Sequence, residues 1–140
     1  MALWYGKMDL NRLTEVAKGT LVEHVGIEYL EAGDHDLKAR MPVDRRTVQP
    51  YGILHGGASV VLAETLGSAA ANCCVDRERE RCVGLEINAN HLRPVGSGYV
   101  YGTARPIHIG RRTQVWEIRI ENEDGDLVCI ARLTLAVTAL

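Results

Sequence analysis

The chain has 140 residues and a net charge of −2 at pH 7, with 46% hydrophobic and 24% charged residues. This length is enough for one domain with a substantial core, and the composition is typical of a folded protein rather than a disordered one. The slightly negative charge argues against a nucleic-acid binder driven by a basic face. Four cysteines without a CxxC pair indicate buried thiols in a reducing cytoplasm. We therefore expect a single cytoplasmic domain over residues 1–140.

The N-terminal part of the chain predicts two short helices followed by a β-hairpin. Asp9 is a typical N-cap for a helix over residues 10–17, and Gly19 is its stop signal. A second short turn is expected over residues 20–24. Hydrophobic residues then alternate with a period of two over residues 27–42, on either side of a Gly-Asp turn, which predicts two strands.

A long apolar helix is predicted in the middle of the chain, from His55 or Gly56 to Val75. It is apolar nearly all round, so most of its faces should be buried. A membrane span is rejected because a carboxylate in its middle would be costly. Small residues would let the helix approach a sheet or another subunit closely: Ala63, Gly67, Ala70 and Ala71.

The remainder of the chain predicts four long strands. They are expected over residues 82–92, 98–108, 113–121 and 127–139, with Pro-Val-Gly, His-Ile-Gly and Asp-Gly turn signals between them. Together with the hairpin, these strands give a mostly antiparallel sheet of about six strands. The simplest packing wraps that sheet around the long central helix, which is an α+β architecture.

Glu64 is the strongest candidate for a catalytic residue. It is the only fully charged side chain between Thr47 and Val75, and no Lys or Arg lies within four residues of it. A carboxylate in such apolar surroundings is typical of a functional site. Ser68 follows one helical turn later and shares the Glu64 face, where it could position a water molecule or bond its own helix backbone.

The start of the same helix provides a second set of candidates. His55 and Gly56 lie where a helix offers free backbone N–H groups and the positive end of its dipole, which stabilise developing negative charge. Nine residues of helix span about 13 Å, too far for Glu64 and His55 of one chain to act on one substrate atom. This spacing fits an active site shared between two subunits.

Residues 49–58 (QPYGILHGGA) and 62–68 (LAETLGS) resemble the hotdog-fold thioesterases. The subgroup is the one that contains the enterobactin proofreading, 1,4-dihydroxy-2-naphthoyl-CoA and helix-glutamate 4-hydroxybenzoyl-CoA thioesterases. The resemblance continues through residues 83–89 (VGLEINA) and beyond, at His91, Arg93 to Pro94 and residues 108–111. Leu92 stands where some relatives carry a second histidine, which leaves the acyl specificity open.

The resemblance implies a hotdog fold and hydrolysis of an acyl-CoA or acyl-carrier-protein thioester. Glu64 would be the nucleophile or the general base, and the Gly56 N–H would polarise the thioester carbonyl. His55 would act as a neutral donor near the thioester, since a helix N-terminus disfavours the imidazolium. Gln49 would hold the carbonyl or His55 through its amide.

The resemblance also implies substrate-binding residues and an assembly. His91 would lie near the acyl pocket and Val83 and Gly84 along the pantetheine channel, while the CoA phosphates would meet Arg93, Arg111 and Arg112. A homotetramer built as a dimer of dimers is expected, with no metal or organic cofactor and no nucleic-acid or membrane partner.

Two other functions use the same fold. A hotdog hydroxyacyl dehydratase also uses a histidine and a carboxylate, but its acid and base meet on one substrate at a different spacing. A non-catalytic acyl-CoA-binding module would keep the glycines and lack the carboxylate. The loop arginines Arg77, Arg79 and Arg81 are either solvated charges or a seat for an anionic ligand.

Overall fold

A computed structural model describes the chain from Met1 to Leu140, and it contains three helices and six strands. None of these helices has both the length and the apolar character needed to cross a membrane. In chain order the elements are α1 (Leu10–Ala17), α2 (Leu21–His24), β1 (Glu28–Ala32), β2 (Leu37–Pro42), α3 (Gly56–Cys73), β3 (Glu80–His91), β4 (Tyr99–Ile109), β5 (Thr113–Glu121) and β6 (Leu127–Ala139).

The six strands form one sheet in the order β1-β2-β4-β5-β6-β3, and every neighbouring pair is antiparallel. The helix α3 connects β2, near one edge of the sheet, to β3, which is the opposite edge. It packs against all of the strands from β2 to β6 on the way. The predicted α+β architecture, a long helix wrapped by a six-stranded sheet, is confirmed.

Local signals fixed most element boundaries. The Asp9 carboxylate accepts hydrogen bonds from the N–H groups of Asn11 and Arg12, as expected of an N-cap. The helix α3 ends two residues before the predicted Val75, because the Cys74 N–H bonds to the Ala71 carbonyl and tightens the last turn.

The long helix lies very close to the sheet. A Cβ atom added at Gly67 would come within 2.7 Å of Leu133 Cδ2, and one at Gly102 would come within 2.6 Å of Leu66 Cδ1. Small residues are therefore required on both sides of this contact, as the sequence predicted for Gly67. The core beside it includes Trp116, which is fully buried and donates its indole N–H to Gln114 Oε1 at 2.8 Å.

The two faces of α3 have different surroundings. One face is buried against the sheet, through residues such as Leu62, Leu66 and Ala70. The other face is half-buried and carries Glu64 and Ser68. Its polar side chains are thus held at the margin of the core rather than in open solvent.

Candidate active site

Glu64 occupies a half-buried position against strand β3. Its Oε2 lies 2.6 Å from the place that a Cβ atom at Gly84 would take, so only glycine leaves room for the carboxylate there. Glu64 takes part in none of the seven ion pairs of the protein. No hydrogen-bond donor of the protein contacts its carboxylate either, so both oxygens are free to act on a substrate or a water molecule.

Asn72 fixes β3 relative to the Glu64 helix. Its side-chain oxygen accepts the Cys82 N–H at 2.8 Å, and its amide nitrogen donates to the Cys82 carbonyl at 3.1 Å. The same nitrogen donates to the Ser68 carbonyl at 2.9 Å. These bonds set the register at which Gly84, two residues further along the strand, passes over Glu64.

A cavity of about 550 Å³ lies along the half-buried face of α3. The helix contributes a continuous stripe to its wall, from Glu64 at one end to Asn72 at the other, a distance of about 12 Å. Ser68 lies between them, so the structure brings Ser68 and Glu64 into the same cavity as predicted. Helices α1 and α2 contribute an apolar wall opposite this stripe, formed by Leu13, Val16 and Val22.

His55 is the N-cap of α3. Its Nδ1 accepts the Gly57 N–H at 2.8 Å, so Nδ1 carries no proton and the proton of the neutral ring is on Nε2. The ring is solvent-exposed apart from this bond, and Nε2–H is available as a donor. The hydrogen bond thereby leaves Nε2 as the ring nitrogen that can donate at this helix tip.

Gly56 is the first residue of α3, and its backbone N–H takes part in no hydrogen bond within the protein. A Cβ atom at this residue would lie 2.9 Å from His91 Nε2, so the histidine ring covers the glycine. Both residues line a second cavity of about 430 Å³, together with Arg93. The first turn of the helix thus presents an unused donor next to an imidazole.

Gln49 lies in the loop before α3, which an isolated bridge between Val48 and Leu54 closes. Its side-chain oxygen accepts the Tyr51 N–H, and this bond directs the two N–H donors of the amide away from the loop backbone. The loop backbone is held by the Gln49 N–H bond to the Ile53 carbonyl at 2.9 Å. The side-chain oxygen of Gln49 is therefore held by the loop, whereas its amide nitrogen is free to donate.

Within one chain the candidate residues form two separate groups. Glu64 and Ser68 line the larger cavity, whereas Gly56 and His91 line the smaller one at the helix tip. The predicted substrate-binding residues are distributed in the same way: Gly84 lies against Glu64, and Arg93 lies beside His91. The separation along the helix is the one that the sequence predicted.

Four predicted substrate-binding residues line neither cavity: Gly84, Val83, Arg111 and Arg112. Val83 precedes Gly84 on the edge strand β3 and is 44% exposed. Arg111 and Arg112 are exposed in the turn between β4 and β5. A role in substrate binding for any of the four remains a prediction.

Most residues that line the larger cavity were not predicted as site residues; the polar ones among them include Arg12, Tyr29 and Asn72. Burial raises the pKa of Tyr29 to about 12, so its phenol stays neutral at physiological pH. Arg12 and Tyr29 come from elements remote in sequence, and no local pattern marks them. Asn72 had a detectable signal, because it lies eight residues after Glu64, on the same face of an apolar helix.

All four cysteines are free thiols, as the sequence predicted. Cys73, Cys82 and Cys129 are buried, and Cys74 is half-buried. Burial raises the pKa of each thiol, to about 11 for Cys82 and about 12 for Cys74. These thiols are therefore protonated at neutral pH and are poor nucleophiles.

Comparison with known proteins defines the class. Residues 51–129 match the family model described as the thioesterase superfamily. The chain belongs to this superfamily and is a thioester hydrolase with the hotdog fold. A crystal structure of the Q49A mutant of thioesterase PA1618 from Pseudomonas aeruginosa superposes with a TM-score of 0.98 at 52% identity, covering 99% of this chain and 100% of that one.

Two curated relatives have more specific names. The 1,4-dihydroxy-2-naphthoyl-CoA hydrolase of Escherichia coli is 49% identical over 135 residues, which are 96% of this chain and 98% of that protein. The proofreading thioesterase EntH of Cronobacter turicensis is 51% identical over 135 residues, with the same coverage of both chains. The subgroup that the sequence motifs indicated is thereby confirmed.

Proposed function

We propose that the protein hydrolyses acyl- or aryl-CoA thioesters to the free acid and CoA, with Glu64 as the catalytic carboxylate. The observation that carries this proposal is the state of Glu64: a half-buried carboxylate without an ion pair or hydrogen bond, opening into a cavity large enough for an acyl group. Such a group is available either to attack the thioester carbonyl or to deprotonate a water molecule that does so. The reaction requires no metal or organic cofactor.

The helix tip supplies the electrophilic half of the reaction in this proposal. The unpaired Gly56 N–H donates a hydrogen bond to the carbonyl oxygen as negative charge develops there, assisted by the positive end of the helix dipole. The Nε2–H of His55 and the free amide donors of Gln49 are further donors near this oxygen. Removal of one such donor typically raises the barrier by about 2.7–4 kcal/mol.

The active site is proposed to form between two copies of the chain. Strand β3 is an edge of the sheet, and it exposes Leu85 (63%) and Val83 (44%) together with unpaired backbone groups. Antiparallel pairing of two β3 edges about a two-fold axis would bring the His91 end of one strand towards the Gly84 end of the other. Glu64 of one protomer would then face the helix tip of its neighbour, in a dimer or a dimer of dimers.

The test is the Glu64→Gln variant, which keeps the shape of the side chain and removes its negative charge. It is measured on a panel of aromatic and aliphatic CoA esters by release of free thiol. We expect turnover to be abolished while the circular dichroism spectrum and thermal unfolding stay close to wild type. Near wild-type turnover by Glu64→Gln would refute the assignment. If the wild type is inactive on CoA esters but hydrolyses acyl-carrier-protein esters, the acyl donor is the carrier protein rather than CoA.

A further inference from the structure

The side chains that line the larger cavity change in character along its length. Glu64 lies at one end, and the wall that follows is apolar on the side of Leu13, Val16 and Val22. At the other end, about 12 Å along α3, the wall becomes cationic. Its three guanidinium groups are those of Arg12, Arg77 and Arg81.

Two of these guanidiniums lie near Cys73, the last residue of α3. Arg77 Nη1 lies 4.0 Å from Cys73 Sγ. The positive charges of both Arg77 and Arg12 also oppose the rise that burial imposes on the pKa of the Cys73 thiol. Arg12 and Arg77 thus lie around the same end of the helix although they come from α1 and from the loop before β3.

These charges are not neutralised within the protein. None of Arg12, Arg77 and Arg81 belongs to the seven ion pairs, whereas Arg79 of the same loop pairs with Asp76 at 3.7 Å. Glu80 is the only acidic side chain besides Glu64 that lines the cavity, and the last residue, Leu140, lines it as well. The side chains at the end remote from Glu64 therefore comprise three arginines and one glutamate. The hydroxyl of Tyr29, which also lines the cavity, has no hydrogen-bond partner in the protein and is a further donor.

We propose that this cavity binds acyl groups that end in an anion, so that Arg12 and Arg77 make the enzyme selective for thioesters of ω-carboxyacyl type. The inference rests on the function proposed above, since it requires the thioester carbonyl to lie at Glu64. An acyl chain directed from there along α3 places its methylene groups against the apolar wall. Its terminal carboxylate then reaches the two guanidiniums, which bind carboxylates through charge-assisted hydrogen bonds.

The test compares suberoyl-CoA with octanoyl-CoA, which have equal carbon numbers and differ only in a terminal carboxylate or methyl group. The ratio of their kcat/KM values is measured for the wild type, for Arg12→Met/Arg77→Met and for the control Arg79→Met. We expect the double variant to lower the suberoyl-to-octanoyl ratio about tenfold, the effect of losing a charge-assisted hydrogen bond close to solvent. Arg79→Met should leave the ratio unchanged, because that arginine does not line the cavity.

An unchanged ratio in the double variant overturns the proposal. An equal loss on both substrates also overturns it, since the arginines would then serve the CoA phosphates or the fold. Calorimetric binding of monomethyl suberate and methyl octanoate, which differ only in a terminal carboxylate or methyl group, separates this inference from the proposed function. If no CoA ester is turned over but monomethyl suberate binds more tightly than methyl octanoate, and the double variant removes that preference, the hydrolase proposal fails and the anion-binding cavity stands.

Discussion

The contact between Glu64 and Gly84 allows the carboxylate proposed as catalytic to be displaced without changing its chemistry. A Cβ atom at residue 84 would lie 2.6 Å from Glu64 Oε2, so a Gly84→Ala substitution requires a shift of about 0.8 Å to reach the 3.4 Å of ordinary contact. Gly84 has no positive φ, so its backbone accepts alanine without strain. Because misplacement of a reacting group by about 1 Å costs about a hundredfold in rate, we expect kcat to fall 10- to 100-fold.

The assay measures kcat and KM separately, together with the free energy of unfolding. The matched control is Gly96→Ala, because nothing lies within 4 Å of a Cβ atom there and its φ is not positive. A fall in kcat at nearly constant stability supports the position assigned to Glu64. A rise in KM alone would instead indicate that the added methyl group obstructs substrate binding, and wild-type kcat in Gly84→Ala would refute the reasoning.

Two further predictions concern the helix cap and the buried thiols. His55→Ala should lower the free energy of unfolding by about 1 kcal/mol and slow turnover. His55→Asn should restore the helix cap but not the turnover rate. Full activity of His55→Asn in the thiol-release assay would show that the histidine is purely structural. Because the folded state raises the pKa of Cys82 from 9.0 to about 11 and that of Cys74 to about 12, it holds these protons more tightly than the unfolded state. Stability should therefore be complete below pH 9 and should fall as the pH rises from there towards 11, by up to about 1.4 kcal/mol per pH unit for each thiol. Urea unfolding at a series of pH values measures this slope, and Cys82→Ala should make it shallower; a slope unaltered by that substitution would contradict the assignment.

Periodicity and capping residues were sufficient to predict most of the fold. Asp9 and the spacing after it predicted α1 at its observed limits, and the strict alternation over residues 113–121 predicted β5. Strand β3 begins at Glu80 rather than at residue 82, because Glu80 and Arg81 pair with the end of β6. Such pairing depends on a partner strand almost sixty residues away, which no local pattern reports.

The candidate site was predicted in part. The isolated charge of Glu64 and the His-Gly-Gly turn predicted two groups of candidate residues, and helix geometry separated them. The contact of Glu64 with Gly84 was not predictable, because it depends on the register of β3, which Asn72 sets through the backbone of Cys82. A shift of one residue would turn every side chain of that strand to the opposite face.

Mixing two inactive variants tests the central claim most directly, namely that Glu64 acts with the helix tip of a second copy. Glu64→Gln and the double variant Gln49→Ala/His55→Ala are refolded together in equal amounts and compared with each variant refolded alone. Random pairing makes half of the dimers mixed, and each mixed dimer contains one site with all its catalytic residues intact. The account predicts recovery to about a quarter of wild-type activity. Activity that stays at the average of the two separate variants would show that the residues act within one chain and would contradict the account.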